Sequence, residues 1–213
     1  MWCNGESWRP VANRRRAALW SAMVLALLAG LGLGIAGCSS GGPNFALQNV
    51  TGLLPQLKFS LDDQDGRAVT AGDYRGKIVL LYFGYTHCPD ACPTTLTNLS
   101  EALRRLGPDA SRVRVLFVTV DPARDTPAVM KRYVSAFGPQ FIGLRGDDDA
   151  LTALSKRYRI AFRREPPDRN GYYAVDHSSA VFIFDASGRA RLLAQESDNP
   201  RTIAMDLHKL SAS

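Results

Sequence analysis

Thiols and imidazoles are scarce in this chain: its 213 residues include four cysteines and three histidines. A disulfide-stapled scaffold is therefore excluded, and the chain is long enough to build one domain around an apolar core instead. No internal repeat is visible, and low complexity is confined to a short Ser/Gly/Pro/Asn-rich run at 39–44. Acidic residues are outnumbered, but the excess of positive charge sits at the N-terminus. Without residues 1–37 the chain loses four Arg and one Glu, leaving 22 basic and 19 acidic residues, and the net charge falls from +6 to +3. Nothing in that balance argues for nucleic acid. A lone peroxidatic cysteine with an activating arginine is also missing, which argues against a peroxidase.

What the N-terminus does contain is directional. Arg14, Arg15 and Arg16 precede an uncharged run, "AALWSAMVLALLAGLGLGIAG", from Ala17 to Gly37, and then Cys38 and "SSGGPN". A basic cluster, an apolar stretch and small residues before a break have the pattern of an export signal. The tetrapeptide "IAGC", Ile35 to Cys38, resembles a bacterial lipobox, which would acylate Cys38. The alternative is an uncleaved helix, since this run could span the roughly 30 Å of a bilayer core. The triple arginine is only a weak twin-arginine signal. Both main readings place the globular part on the outer, periplasmic face of the cytoplasmic membrane, held by lipid or by a helix. The expected organisation is a signal over 1–37, a lipidated cysteine and flexible tether over 38–44, and a folded domain over 45–213.

With Cys3 in the signal and Cys38 acylated, Cys88 and Cys92 are the free thiols of the domain. They lie in "GYTHCPDACPTTL", four residues apart. Outside the cytoplasm such a pair can be a disulfide, but a bridge this local closes a short loop and stabilises little. Around it, "LPQLKFSL", "DDQDG" and "RAVT" predict a hairpin turning at Asp65-Gly66. "KIVLLYFG", Lys77 to Gly84, predicts a strand buried on both faces. Leu96, Leu99, Leu103 and Leu106 predict a helix from Cys92 to Leu106, ending at Gly107-Pro108. A second central strand is expected over Arg112–Val120, then a helix over Pro127–Phe137 capped by Thr126 or Asp125. "FIGLRG" is a short strand, Asp147–Tyr158 a helix, "SSAVFIFDASGRARLLAQ" a hairpin turning near Ser187-Gly188, and Pro200–Leu210 the last helix. The segment from Arg163 to Asp176 is polar and long for a connection, as functional loops often are. This order is that of an α/β, thioredoxin-like domain, a central mixed sheet flanked by helices, with an extra N-terminal hairpin.

The cysteines fall where the first central strand hands over to its helix, the edge at which α/β sheets gather ligands. Pro89 keeps Cys88 out of helical geometry. Asp90 has the residue type of an N-cap, or else tunes a metal or partner, and Cys92 would then sit in the positive end of the helix dipole. Spacing alone allows both a Cys88–Cys92 disulfide and two sulfurs on one metal ion. His177, in "YAVDHSSAVFIF", stands near the position where a thioredoxin carries its cis-proline. It is either a loop histidine with an ordinary hydrogen bond or a third ligand facing the cysteines. Soft thiolates select Cu(I) and an imidazole suits copper in either oxidation state, Cu(I) or Cu(II), whereas structural zinc wants a fourth protein ligand. Asp176 could orient the imidazole. His87 reads as a solvent-facing side chain or an extra or transient ligand, His208 as a surface residue, and Asp121 as the end of a strand near the site.

"YFGYTHCPDACPTTL", "VTVDPARDTP" and "YAVDHSS", in this order, resemble the SCO/SenC family of copper-handling, thioredoxin-like proteins, with similarity from about Phe45 to Leu210. The resemblance implies copper ligation by Cys88, Cys92 and His177. It further implies a role in assembling the copper centre of cytochrome c oxidase, with the subunit II copper domain or another copper donor or acceptor as partner. A membrane-tethered, monomeric metallochaperone is the expectation. The alternatives are a thiol-disulfide reductase acting on the oxidase copper-site cysteines through Cys88 and Cys92, and a redox or copper sensor.

The lipobox reading has a direct test. Cells expressing the wild-type chain should incorporate radioactive palmitate into it, and Cys38→Ala should abolish the label. A wild-type chain that takes up no lipid would favour the uncleaved helix.

Overall fold

The segment Ile78 to Gly84 has no polar face, and it forms a strand buried along its whole length. In the computed structural model, which describes residues 43–212, this strand lies inside a mixed sheet. The signal segment, Cys3, Cys38 and most of the tether lie outside the described residues.

Chain order begins with β1 (Gln48–Asn49), β2 (Ser60–Asp63), β3 (Ala68–Thr70) and β4 (Ile78–Gly84). Helix α1 (Ala91–Leu106), β5 (Val113–Thr119), α2 (Pro127–Ser135), β6 (Phe141–Arg145) and α3 (Asp148–Tyr158) follow. The chain then forms β7 (Phe162–Arg164), β8 (Val175–His177), β9 (Val181–Phe184), β10 (Ala190–Ala194) and α4 (Pro200–Ser211). The sheet order is β1-β10-β9-β4-β5-β6-β2-β3. Strands β4, β5 and β6 run parallel, and β9 pairs with β4 antiparallel, Leu80 lying opposite both Val115 and Ile183. Helices α1 and α4 pack on each other, and α2 packs on β6. This is the thioredoxin-like arrangement expected, and the N-terminal hairpin extends the sheet beyond β6.

Local chemistry explains the boundaries. In the β2–β3 turn Gly66 has φ +76°, and Asp63 Oδ1 accepts from the amides of Asp65 and Arg67 at 2.8 and 3.0 Å. Thr126, Asp147 and Asn199 cap α2, α3 and α4 by accepting backbone N–H groups, each the first acceptor an orphaned helix start needs.

Two features depart from the sequence reading. Strand β1 is only two exposed residues long, with no periodicity to betray it. It is held against β10 because the fully buried Asp206 carboxylate accepts from the amides of Ala46 and Leu47, both at 2.7 Å. The polar segment 163–176 is not an open connection either. Its ends pair antiparallel as β7 and β8, Phe162 opposite His177 and Arg164 opposite Val175, making a two-stranded ribbon.

Gly84, the last residue of β4, has no room for a side chain. A Cβ there would lie 2.8 Å from Phe117 Cε2 and 2.9 Å from Cys92 Sγ. Gly84→Ala should therefore lower the unfolding free energy by about 1–3 kcal/mol, the usual cost of overpacking. Chemical denaturation measures it, and unchanged stability would show that the strand end yields.

Candidate metal centre

Three donor atoms from two parts of the fold converge. Cys88 Sγ, Cys92 Sγ and a His177 ring nitrogen all lie within 4.8 Å of one another. The cysteines come from the turn after β4 and the first turn of α1, and the histidine ends β8. Cys92 Sγ is 3.3 Å from His177 Nε2. His177 Nδ1 is 3.0 Å from the Ser178 carbonyl oxygen, which can only accept, so Nδ1 carries the proton and Nε2 faces the sulfur. The imidazole is further fixed edge-on to two rings, with centroids 6.2 Å from Tyr82 and 5.8 Å from Tyr85.

Burial sets the charge state of these donors. Cys92 is 0% exposed, and desolvation pushes its thiol up to about 12. The sequence reading gave Cys92 the benefit of the helix dipole, and burial overrides it. The helix N–H aimed at a sulfur goes to the other cysteine, with Cys92 N donating to Cys88 Sγ at 3.5 Å. Desolvation also pushes His177 down, favouring the neutral imidazole that can ligate a metal. The Tyr82 hydroxyl is buried with no hydrogen-bond partner among the described residues, and both burial and the Cys92 sulfur push its pKa up. An orphaned donor beside a sulfur fits an anionic, metal-bound thiolate better than a neutral thiol.

Other residues singled out in the sequence take different places. Asp90 occupies the N-cap position of α1, but its exposed side chain caps nothing. Asp176 is exposed and lies 3.6 Å from Arg163, while the Ser178 carbonyl, not Asp176, holds the imidazole. His208 is a surface residue 3.1 Å from Asp109. His87 lies outside the three-donor group, with Nδ1 3.1 Å from Thr86 Oγ1.

Asp121 and Asp125 are the functional residues whose roles sequence reasoning missed. Both are 0% exposed. Asp125 does not cap α2, a role that falls to Thr126. It accepts from Thr86 N at 3.0 Å, Thr86 Oγ1 at 2.6 Å and Thr119 Oγ1 at 2.6 Å, fixing the turn before Cys88. Asp121 accepts from Arg124, from Arg164 at 3.3 Å and from the Tyr173 hydroxyl at 2.9 Å. Arg124 also donates to the Tyr173 carbonyl at 3.0 Å and stacks on the Tyr173 ring, 3.6 Å from its centre. The ribbon carrying His177 is thereby clamped to the end of β5. The signal available in the sequence was two acids spaced within one turn after a buried strand.

Arg124→Ala removes a charged hydrogen-bond donor and the stacked cation, and should cost about 1.5–3 kcal/mol. Hydrogen exchange should accelerate over residues 162–177 while β4 and β5 stay protected. Equal protection in both segments would show that the clamp does not hold the ribbon.

Comparison with known proteins places the chain in a family. A family model described as SCO1/SenC matches residues 53–212. The bovine "Protein SCO2 homolog, mitochondrial" is 43% identical over 155 residues, covering 68% of this chain and 58% of its own length. The chain therefore spans less than two thirds of that relative. Its mouse counterpart is 36% identical over 194 residues, covering 87% of this chain and 76% of its own. Among solved structures, copper-bound ScoI of Bradyrhizobium japonicum superposes with a TM-score of 0.67 at 41% identity, covering 73% of this chain and 98% of that one. The motifs, the fold and these matches agree, and the chain belongs to the SCO1/SenC family.

Proposed function

We propose that this protein is an extracytoplasmic copper metallochaperone, tethered to the membrane and serving assembly of the copper centre of cytochrome c oxidase. The observation that carries the reading is the convergence of Cys88, Cys92 and His177 within 4.8 Å, two sulfurs and one nitrogen with no fourth protein donor among the described residues. That donor set is soft and small, which suits Cu(I) over zinc. Copper-bound ScoI, a relative of the same fold, supports the choice of metal.

Each residue has a distinct part. Cys88 and Cys92 supply thiolates, releasing their protons as metal binds. His177 supplies Nε2, already oriented by its Nδ1–H bond to Ser178. Tyr82 offers its hydroxyl to the Cys92 sulfur. Copper is cargo in this scheme, received from a donor and passed to the copper domain of oxidase subunit II. A lipid on Cys38, or an uncleaved helix, keeps the site on the periplasmic side.

The closeness of two free cysteines also favours a second reading, a thiol-disulfide reductase acting on the same oxidase site. Attack requires a thiolate, and the buried, high-pKa Cys92 is poorly placed to provide it. Cys88, half-buried and accepting a helix N–H, would be the nucleophile.

One experiment separates the two. The reduced full chain should bind one copper with two sulfurs and one nitrogen by X-ray absorption, and full oxidation should release it. Cys88→Ser or Cys92→Ser should abolish tight binding. His177→Ala should weaken copper by more than the ~10–100-fold typical of residues behind the ligands, while disulfide exchange continues. Cells carrying only His177→Ala should fail to assemble oxidase at low copper and recover when copper is added. Normal assembly in that strain, with failure in Cys88→Ser, would establish the reductase instead.

A further inference from the structure

The three donors are not equally accessible. Cys92 is fully buried, His177 and Cys88 are half-buried, and His87, next in sequence to Cys88, is exposed. His87 is thus an exposed imidazole beside a half-buried cysteine in sequence, and the three-donor site does not use it.

That imidazole is oriented. Thr86 Oγ1 gives its proton to the buried Asp125 carboxylate, 2.6 Å away, which leaves the oxygen lone pairs to accept from His87 Nδ1 at 3.1 Å. Asp125 Oδ1 itself lies 3.6 Å from the same nitrogen. Nδ1 thus carries a proton turned towards the protein. Nε2, on the opposite side of the ring, has no hydrogen-bond partner among the described residues. The His87 side chain is 45% exposed, and its carbonyl accepts from the Tyr172 hydroxyl at 3.4 Å. A chain of hydrogen bonds from a buried carboxylate to a solvent-facing imidazole fixes a tautomer, as the partners behind metal-ligating histidines do.

We infer that His87 is a capture ligand, the first donor to bind incoming Cu(I) and the one that hands it to Cys88; this rests on the copper reading above. The exchange needs no redox step. A Cu–Nε2 bond forms as a bond to the donor's ligand breaks. A Cu–Sγ bond to Cys88 then forms, its thiol proton leaves to water, and the Cu–Nε2 bond breaks. Copper remains Cu(I) throughout, and the imidazole returns to its starting state. Such a ligand changes the rate of loading and leaves the final affinity alone.

The test uses the full chain, reduced, with Cu(I) presented as its bicinchoninate complex and followed by stopped flow. His87→Gln and His87→Ala should slow capture by about tenfold, at the lower end of the range over which on-rates vary between variants of one site. The equilibrium distribution of copper between protein and chelator should stay within about twofold of wild type, less than the spread expected even for residues behind the ligands. Added imidazole should speed His87→Ala more than wild type, and His208→Ala should load normally. Wild-type capture rates in His87→Ala would overturn the inference. So would a loss of equilibrium affinity as large as that of Cys88→Ser, which would make His87 a resident ligand. A wild-type chain that takes up no Cu(I) would instead remove the copper reading itself.

Discussion

Two buried carboxylates in one turn after β5 hold the site together. Asp121 and Asp125 have no exposure to water, and a buried charge left unmatched is costly enough to break the structure around it. Their donors come from both halves of the centre. Asp125 collects the amide and hydroxyl of Thr86, one residue removed from His87 and two from Cys88. Asp121 collects Arg124, Arg164 and Tyr173, two of which belong to the segment that ends in His177. A five-residue stretch, "DPARD", thus ties the cysteine turn and the histidine ribbon to the same parallel strand. Because β5 pairs with β4 along its length, up to Thr119 opposite Gly84, both anchors sit on the most buried part of the sheet.

Burial also decides the electrostatics of the donors. A rise in the Cys92 thiol from 9.0 to about 12 corresponds to roughly 4 kcal/mol. A helix dipole offers ~0.3–1 kcal/mol at an accessible terminus, so desolvation wins and the free thiol stays neutral. His177 moves in the opposite direction for the same reason, and it too stays neutral. Cys92 and His177 are therefore both uncharged, and the Tyr82 hydroxyl beside the Cys92 sulfur has no hydrogen-bond partner among the described residues. A metal ion bound at these donors would compete with the proton for that sulfur, and the hydroxyl would favour the thiolate.

How much of this could be read from the sequence depends on what kind of physics fixed each part. Strands β4 and β5 and the helix after the cysteines declare themselves through long apolar runs and regular leucine spacing, and all appear close to where the patterns placed them. The order of elements brought His177 near the cysteines as one of two open alternatives, and the family resemblance implied the set of three. Two short features, β1 and the β7–β8 ribbon, were illegible. β1 depends on Asp206, a residue about 160 positions away, and β7–β8 is made of polar residues held by side chains. Roles that depend on three-dimensional neighbours were misread as local ones. Asp90 looked like a cap and is not one, Asp125 looked like a cap and is an anchor, and Asp176 looked like the partner of His177 when a backbone carbonyl fills that place.

The two halves of the centre are built with unequal rigidity. The cysteines follow a seven-residue strand paired on both sides within the core, Cys88 in the turn after it and Cys92 in the first turn of α1. The histidine stands on a ribbon of two three-residue strands, outside the main sheet. Few backbone bonds and many exposed residues put such a ribbon at the low end of local stability. What raises it is the Asp121 clamp, in which a guanidinium stacked on Tyr173 also bonds that residue's carbonyl. The His177 imidazole is thus held by side-chain chemistry that can be weakened without touching the core. The Cys92 sulfur is held in the core and the Cys88 turn by Asp125, so a change at Arg164 or Tyr173 reaches the imidazole and leaves those anchors in place.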